Sequence, residues 1–113
     1  MALPKKYRLK KRKDFAQVKI KGKLINQSLF GFLILEGQNN PFPVFGFIVS
    51  KKVSLRAVKR NRVRRLLAEA VYPLLPQVKP GAKIIILAKK DLVKADLAKV
   101  KKEIANVLKP FLQ

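Results

Sequence analysis

Apolar residues recur along this chain with two periods, and the changes between them mark out the elements. In "KDFAQVKIKG" (13–22), Phe15 and Val18 stand three apart on one helical face, and Gly22 suits a left-handed stop just past the end. "SLFGFLILE" (28–36) and "VFGFIVS" (44–50) are rich in aromatic and branched residues and read as strands. Between them "GQNNPFP" (37–43) is turn chemistry, so the two strands are expected to pair as an antiparallel hairpin with a longish loop. Residues 24–27, "LINQ", fit either a short extra strand or a bend. The segment 51–75 carries the main helix, with Ser54 as a plausible N-cap and Pro73 ending or kinking it. Within that helix Val63, Leu66, Leu67 and Ala70 fall within about 100° of arc. Pro80-Gly81 marks a turn, and the apolar run at 83–88 is continuous rather than alternating, as in a strand covered on both faces. A last helix starts at Asp96, a good N-cap, places Leu97, Val100, Ile104, Val107 and Leu108 at helical spacing, and stops at Pro110.

The order is helix, two or three strands, long helix, strand, helix. That is an α/β class, an α+β sandwich, and its strand–helix–strand crossover requires at least one parallel pair. At 113 residues the chain makes one domain (1–113), whose residues 1–12 form a basic arm. The apolar content, 49%, is enough for one core and is unlike a disordered tail.

Charge changes what the long helix means. There are 27 Lys and Arg against 6 Asp and Glu, a net charge of +21. Self-repulsion at that density opposes a compact chain on its own, so a polyanion is the expected partner, and nucleic acid fits best because phosphate neutralisation releases counterions. From Lys51 to Arg65 there are eight cations and no acid: Lys51, Lys52, Arg56, Lys59, Arg60, Arg62, Arg64 and Arg65. A merely solvated helix face ordinarily mixes signs, because like charges three or four apart repel. Here Arg60/Arg64 and Arg62/Arg65 are such neighbours, and arginine grips phosphate through two parallel hydrogen bonds. The arm, together with Lys13 just after it, adds seven cations between Lys5 and Lys13, and with no polyanion to meet the arm is expected to be loose.

Several chemistries are excluded. The chain has no cysteine and no histidine, so disulfides, thiolate zinc sites and histidine acid–base catalysis are absent. The six acids, Asp14, Glu36, Glu69, Asp91, Asp96 and Glu103, form no paired-carboxylate or metal motif, so neither a catalytic residue nor a metal ligand is expected among the side chains. No apolar run reaches the length of a membrane span, and "MALPKKYRLKKRK" lacks the apolar stretch of a secretory signal, which points to the cytoplasm. Phe30 faces with Phe32, and Phe45 with Phe47. Core packing is the ordinary role for such residues, whereas an exposed one beside cations would be a stacking platform for unpaired bases. Three functions remain in play: a protein cofactor of an RNA enzyme, a general RNA-binding protein such as a ribosomal protein or RNA chaperone, and a stand-alone endonuclease, which the missing catalytic groups disfavour.

Three stretches narrow this. "RLKKRKDF" (8–15), "GFIVSKKV" (46–53) followed by "KRNRVRRLLAEA" (59–70), and "GAKIIILAKK" (81–90) resemble the protein component of bacterial ribonuclease P, in order and spacing over nearly the whole chain. The resemblance implies a sandwich with a left-handed strand–helix–strand crossover, against the usual right-handed rule. It implies a monomeric protein that joins a catalytic RNA subunit to cut the 5′ leader from precursor tRNA, with Mg²⁺ held mainly by the RNA. By the same resemblance Arg60, Asn61, Arg62, Arg64 and Arg65 face the catalytic RNA, with Lys51, Lys52, Arg56 and Lys59 beside them. Phe15, Lys89, Lys19 and Arg8 belong to the leader side. Lys19 stands where the family commonly has an aromatic, and Leu33 where a tyrosine occurs, so a more electrostatic grip on the leader is implied.

Overall fold

The structure is a computed structural model describing residues 3–113; Met1 and Ala2, part of the arm, lie outside the described residues. Three α-helices and four strands are joined by short 3-10 turns: α1 Arg12–Lys21, β1 Lys23–Asn26, β2 Phe30–Leu35, β3 Val44–Ile48, α2 Ala57–Val71, β4 Lys83–Ala88 and α3 Leu97–Leu108. Most boundaries follow the local chemistry. The Asp96 side chain accepts from the Lys99 backbone N–H at 2.8 Å and caps α3. Pro73 turns the end of α2 into a 3-10 segment, Tyr72–Gln77.

Two local expectations are corrected. Ser54 does not cap α2: the N-cap is Arg56, and the Ser54 hydroxyl instead accepts from the Arg56 N–H at 3.2 Å, folding the turn that leads into the helix. Gly22 does not take a left-handed conformation; it is extended, at φ −72°. It is small because a Cβ there would collide with the Val18 carbonyl.

The sheet order is β1-β2-β4-β3. The expected hairpin of 28–36 with 44–50 does not form. β4 lies between those strands, antiparallel to β2 and parallel to β3. Residues 37–43 therefore carry the chain past the width of one strand. The hairpin that does form joins β1 to β2, with Lys23 opposite Ile34 and Asn26 opposite Gly31. The required parallel pair is β3 with β4, connected by α2.

β4 is covered on both faces, as its continuous apolar run predicts. Ile84 and Ile86 point with Phe32, Ile34 and Phe45 into the larger core, against Val63, Leu67 and Val71 of α2 and Val100, Ile104 and Leu108 of α3. Ile85 points the other way, with Leu9 and with Val18 of α1. Phe30, Phe32 and Phe45 are all buried, so core packing claims them; the rings of Phe30 and Phe32 meet edge to face at 5.1 Å.

The arm is held, contrary to the expectation that it is loose without RNA. Leu3 and Leu9 are buried, and the Leu9 N–H donates to the Phe45 carbonyl at 2.9 Å, so the arm lies along the free edge of β3. Lys6 sits 4.7 Å over the ring of Phe42, and Tyr7 packs edge-on against the same ring. Two leucines and an unpaired sheet edge fix the arm despite its charge.

Candidate nucleic-acid interface

α2 carries three ridges. Val63, Leu67, Ala70 and Val71 form the buried one. Lys59 and Arg62 lie on an outer, exposed ridge with Val58, which is 72% exposed. The third runs through Asn61, Arg64, Arg65 and Ala68, spaced i, i+3, i+4 and i+7, and faces the arm across the edge of β3. The first turn of α2 contains no acid, so the positive end of the helix dipole adds to the repulsion among these cations. Among the described residues the one ion pair is Lys83 with Asp14, at 3.4 Å, on the opposite side of the sheet. The guanidiniums of α2 are therefore uncompensated by carboxylates and available to an outside anion.

Between α2 and the arm lies a cavity of about 480 Å³. Its floor is Leu3, Phe45, Phe47 and Ala68, and its rim is Arg8, Asn61, Arg64 and Arg65. Protein oxygens already orient several of the cations. Arg64 donates to the Asn61 side-chain oxygen at 3.0 Å and, at 3.5 Å, to the Val49 carbonyl; Arg8 donates to the Leu3 carbonyl. Arg60, half-buried, donates to the Ser54 carbonyl at 2.8 Å and so braces the turn before α2. Phe15 closes the far side, half-buried, its ring lying on Gly46. A second cavity, about 390 Å³, opens on the other side of Arg8 and Leu9; it is lined by Lys5, Lys10, Lys11 and Lys83 among polar side chains.

Apart from Arg60, turned back onto the Ser54 carbonyl, the predicted residues divide into three places. Arg8, Phe15, Asn61, Arg64 and Arg65 converge on the first cavity. Lys51, Lys52, Arg56, Lys59 and Arg62 are exposed along the approach to α2 and its outer ridge. Lys19 and Lys89 are apart from both. Lys19 is exposed on α1, while the Lys89 ammonium is tied to the Asn26 side chain at 2.7 Å and to the Gln27 carbonyl. On the sheet face beneath α1, Leu33, Ile48 and Leu87 are only half-buried, leaving an apolar floor between Phe15 and Lys89. Sequence reasoning missed Leu3 and Gly46, and left Phe47 between core packing and a stacking role. The available signal was the alternation in "VFGFI", which sets a residue without a side chain between two aromatics.

Among the described residues no three acids gather where they could hold a metal ion. The donor set of this surface is cationic and does not fit Mg²⁺. No helix among the described residues is long and apolar enough to cross a membrane.

Known proteins resemble this chain in sequence and fold. A family described as Ribonuclease P matches residues 3–111. The ribonuclease P protein component of Listeria welshimeri is 36% identical over 95% of this chain and 89% of its own length. That of a Pseudanabaena species is 35% identical over 94% of this chain and 91% of its own. The solved Staphylococcus aureus RNase P protein superposes with a TM-score of 0.81 at 25% identity, covering 92% of this chain and 94% of that one. The RNase P protein of Thermotoga maritima shares the fold, with a TM-score of 0.80 at 24% identity over 91% of this chain and 96% of that one.

Proposed function

The chain belongs to the ribonuclease P protein family, and from that premise we propose that it binds the catalytic RNA through α2 and the 5′ leader of precursor tRNA through the sheet face beside Phe15. As a ribonuclease P component it is one subunit of an endoribonuclease whose partner is an RNA. The chemistry is assigned to that RNA and to the Mg²⁺ it holds, because the sequence has no histidine and the described residues gather no carboxylate cluster. The protein alone is a monomer, and the assembly works in the cytoplasm.

The observation that carries this reading is the unpaired cationic surface of α2. Eight cations from Lys51 to Arg65 have no acid in the segment, and none of their guanidinium or ammonium groups forms an ion pair among the described residues. Like-charge neighbours and the helix dipole make that surface costly in the free protein, and an RNA backbone relieves the cost. The leader side rests on less charge and more apolar area. Phe15 offers a ring, Leu33, Ile48 and Leu87 offer a floor, and Lys19, Lys89 and Arg8 are the cations that the resemblance to the family assigns to the leader.

Cleavage of precursor tRNA at low Mg²⁺ tests the proposal, with a bacterial ribonuclease P RNA, with this protein, and with both. Cleavage only when both are present is expected. Cleavage by the protein alone would place an active site among its own side chains. Tight RNA binding with no effect on cleavage would support a general RNA-binding protein instead, a reading the family match does not favour.

A further inference from the structure

We propose that the cavity between the arm and α2 holds one unstacked nucleotide of the RNA subunit, with its base on the apolar floor and its phosphates on the arginine rim. The inference deepens the proposed function and rests on it.

The cavity combines two features that a surface for duplex phosphates does not need. The first is room over an apolar floor: at about 480 Å³ it is in the usual range for small-ligand sites, roughly 300–1,000 Å³. Leu3 and Ala68 are buried at its floor, and Phe47 is half-buried beside them. Phosphate has no use for such a floor, whereas the face of a base does. The second is an amide at the rim. The Asn61 side-chain oxygen is occupied by Arg64, so its N–H groups are what it has left to offer, and base edges present carbonyl and ring-nitrogen acceptors. Two of the three rim guanidiniums are held in place beforehand. Arg64 is fixed by Asn61 and the Val49 carbonyl, and Arg8 by the Leu3 carbonyl, so little freedom is lost when phosphate arrives.

The division of α2 assigns the nucleotide to the RNA subunit. Asn61, Arg64 and Arg65 share their helix with Lys59 and Arg62, one ridge away. An RNA backbone running along the outer ridge can turn a single unpaired nucleotide over the helix into the cavity. Recognition of unpaired bases splayed from a structured RNA is the ordinary route to specificity in RNA binding.

Chemical probing of base edges tests this, with dimethyl sulfate and carbodiimide on a bacterial ribonuclease P RNA bound by saturating wild-type protein, Asn61→Ala or Arg62→Ala, without precursor tRNA. Both side chains are exposed, so neither change threatens the fold. The expected result is one unpaired base protected by the wild type and by Arg62→Ala but released by Asn61→Ala. Asn61→Ala also loses about tenfold in affinity with an unchanged salt slope, because it removes a hydrogen bond and no charge. Identical protections for all three proteins would overturn the proposal. So would the absence of any unpaired base protected by the wild-type protein. If the wild-type protein binds no RNA in the same titration, the proposed function falls together with this site.

Discussion

The ring of Phe15 rests on the bare Cα of Gly46: a Cβ built there would stand 2.6 Å from two of the ring carbons. Gly46 has no unusual backbone angle. It is a glycine so that an aromatic on α1 can pack directly against β3. The contact places one ring at the meeting point of the sheet face beneath α1 and the cavity beside α2.

Gly46→Ala should therefore displace the ring and leave the rest of the fold standing, since the clashing atoms are the far end of a movable side chain. Phe15→Ala removes the ring altogether. Both should weaken precursor tRNA more than mature tRNA, Phe15→Ala by about 1–3 kcal/mol if one leader base stacks on the ring. Binding of the two tRNAs to the reconstituted complex measures this, and equal losses would take Phe15 out of leader recognition.

Arg62→Ala and Arg65→Ala should each lower affinity for the catalytic RNA and reduce the slope of log affinity against log salt by up to about one unit. The two arginines sit on different ridges of α2. Salt titrations of each variant give the slopes, and unchanged slopes in both would leave these arginines as solvated residues.

Arg62→Glu should trade binding for stability. A glutamate there lies three residues from both Lys59 and Arg65, turning two repulsive neighbours into attractive ones worth about 0.2–0.5 kcal/mol per pair. The free protein should melt slightly higher than wild type at low salt, and the gain should shrink as salt screens it. Catalytic RNA binding should fall in the same variant. A lower melting temperature would show that the outer ridge is not under electrostatic strain.

Leu67→Ala should act in the opposite sense. Leu67 is fully buried between the sheet and α3, so truncation should cost roughly 2–5 kcal/mol of stability. At temperatures where the variant remains folded, its salt slope for RNA should match wild type. Denaturant unfolding and RNA titration together check this; intact stability with lost binding would invert the assignment of the helix faces.

The parts of the fold legible in the sequence are those decided within a few residues. Asp96 caps α3 because its side chain reaches the Lys99 N–H, and the unbroken run of Ile84, Ile85 and Ile86 announces a strand with a core on either side. Pairing between distant segments left no such mark. The turn chemistry at 37–43 reads as a hairpin because nothing local reveals that β4, some forty residues later, comes between the flanking strands. The arm reads as loose because its six cations outweigh Leu3 and Leu9 in any local count, whereas the edge of β3 that receives it exists only in the folded sheet. Of the interface, the charges of α2 were evident and the cavity was not. The cavity takes its walls from three places in the chain, and only the alternation around Gly46 hinted at one of them.

The position of β4 bears on how the molecule comes into being. One of the two interior strands of the sheet is the last to emerge during synthesis, and it bonds to partners that begin at Phe30 and Val44. Until it arrives, β2 and β3 have no common neighbour, and α2 has no finished sheet to pack on. Most of the ordering must wait for contacts distant in sequence, the kind that slow folding because a long loop has to close first. A nascent chain that already displays its arginines has not yet built the frame that spaces them. Truncated products ending before Lys83 should therefore carry the charge without the shape, attracting nucleic acid indiscriminately while lacking the joined surface of arm, β3 and α2.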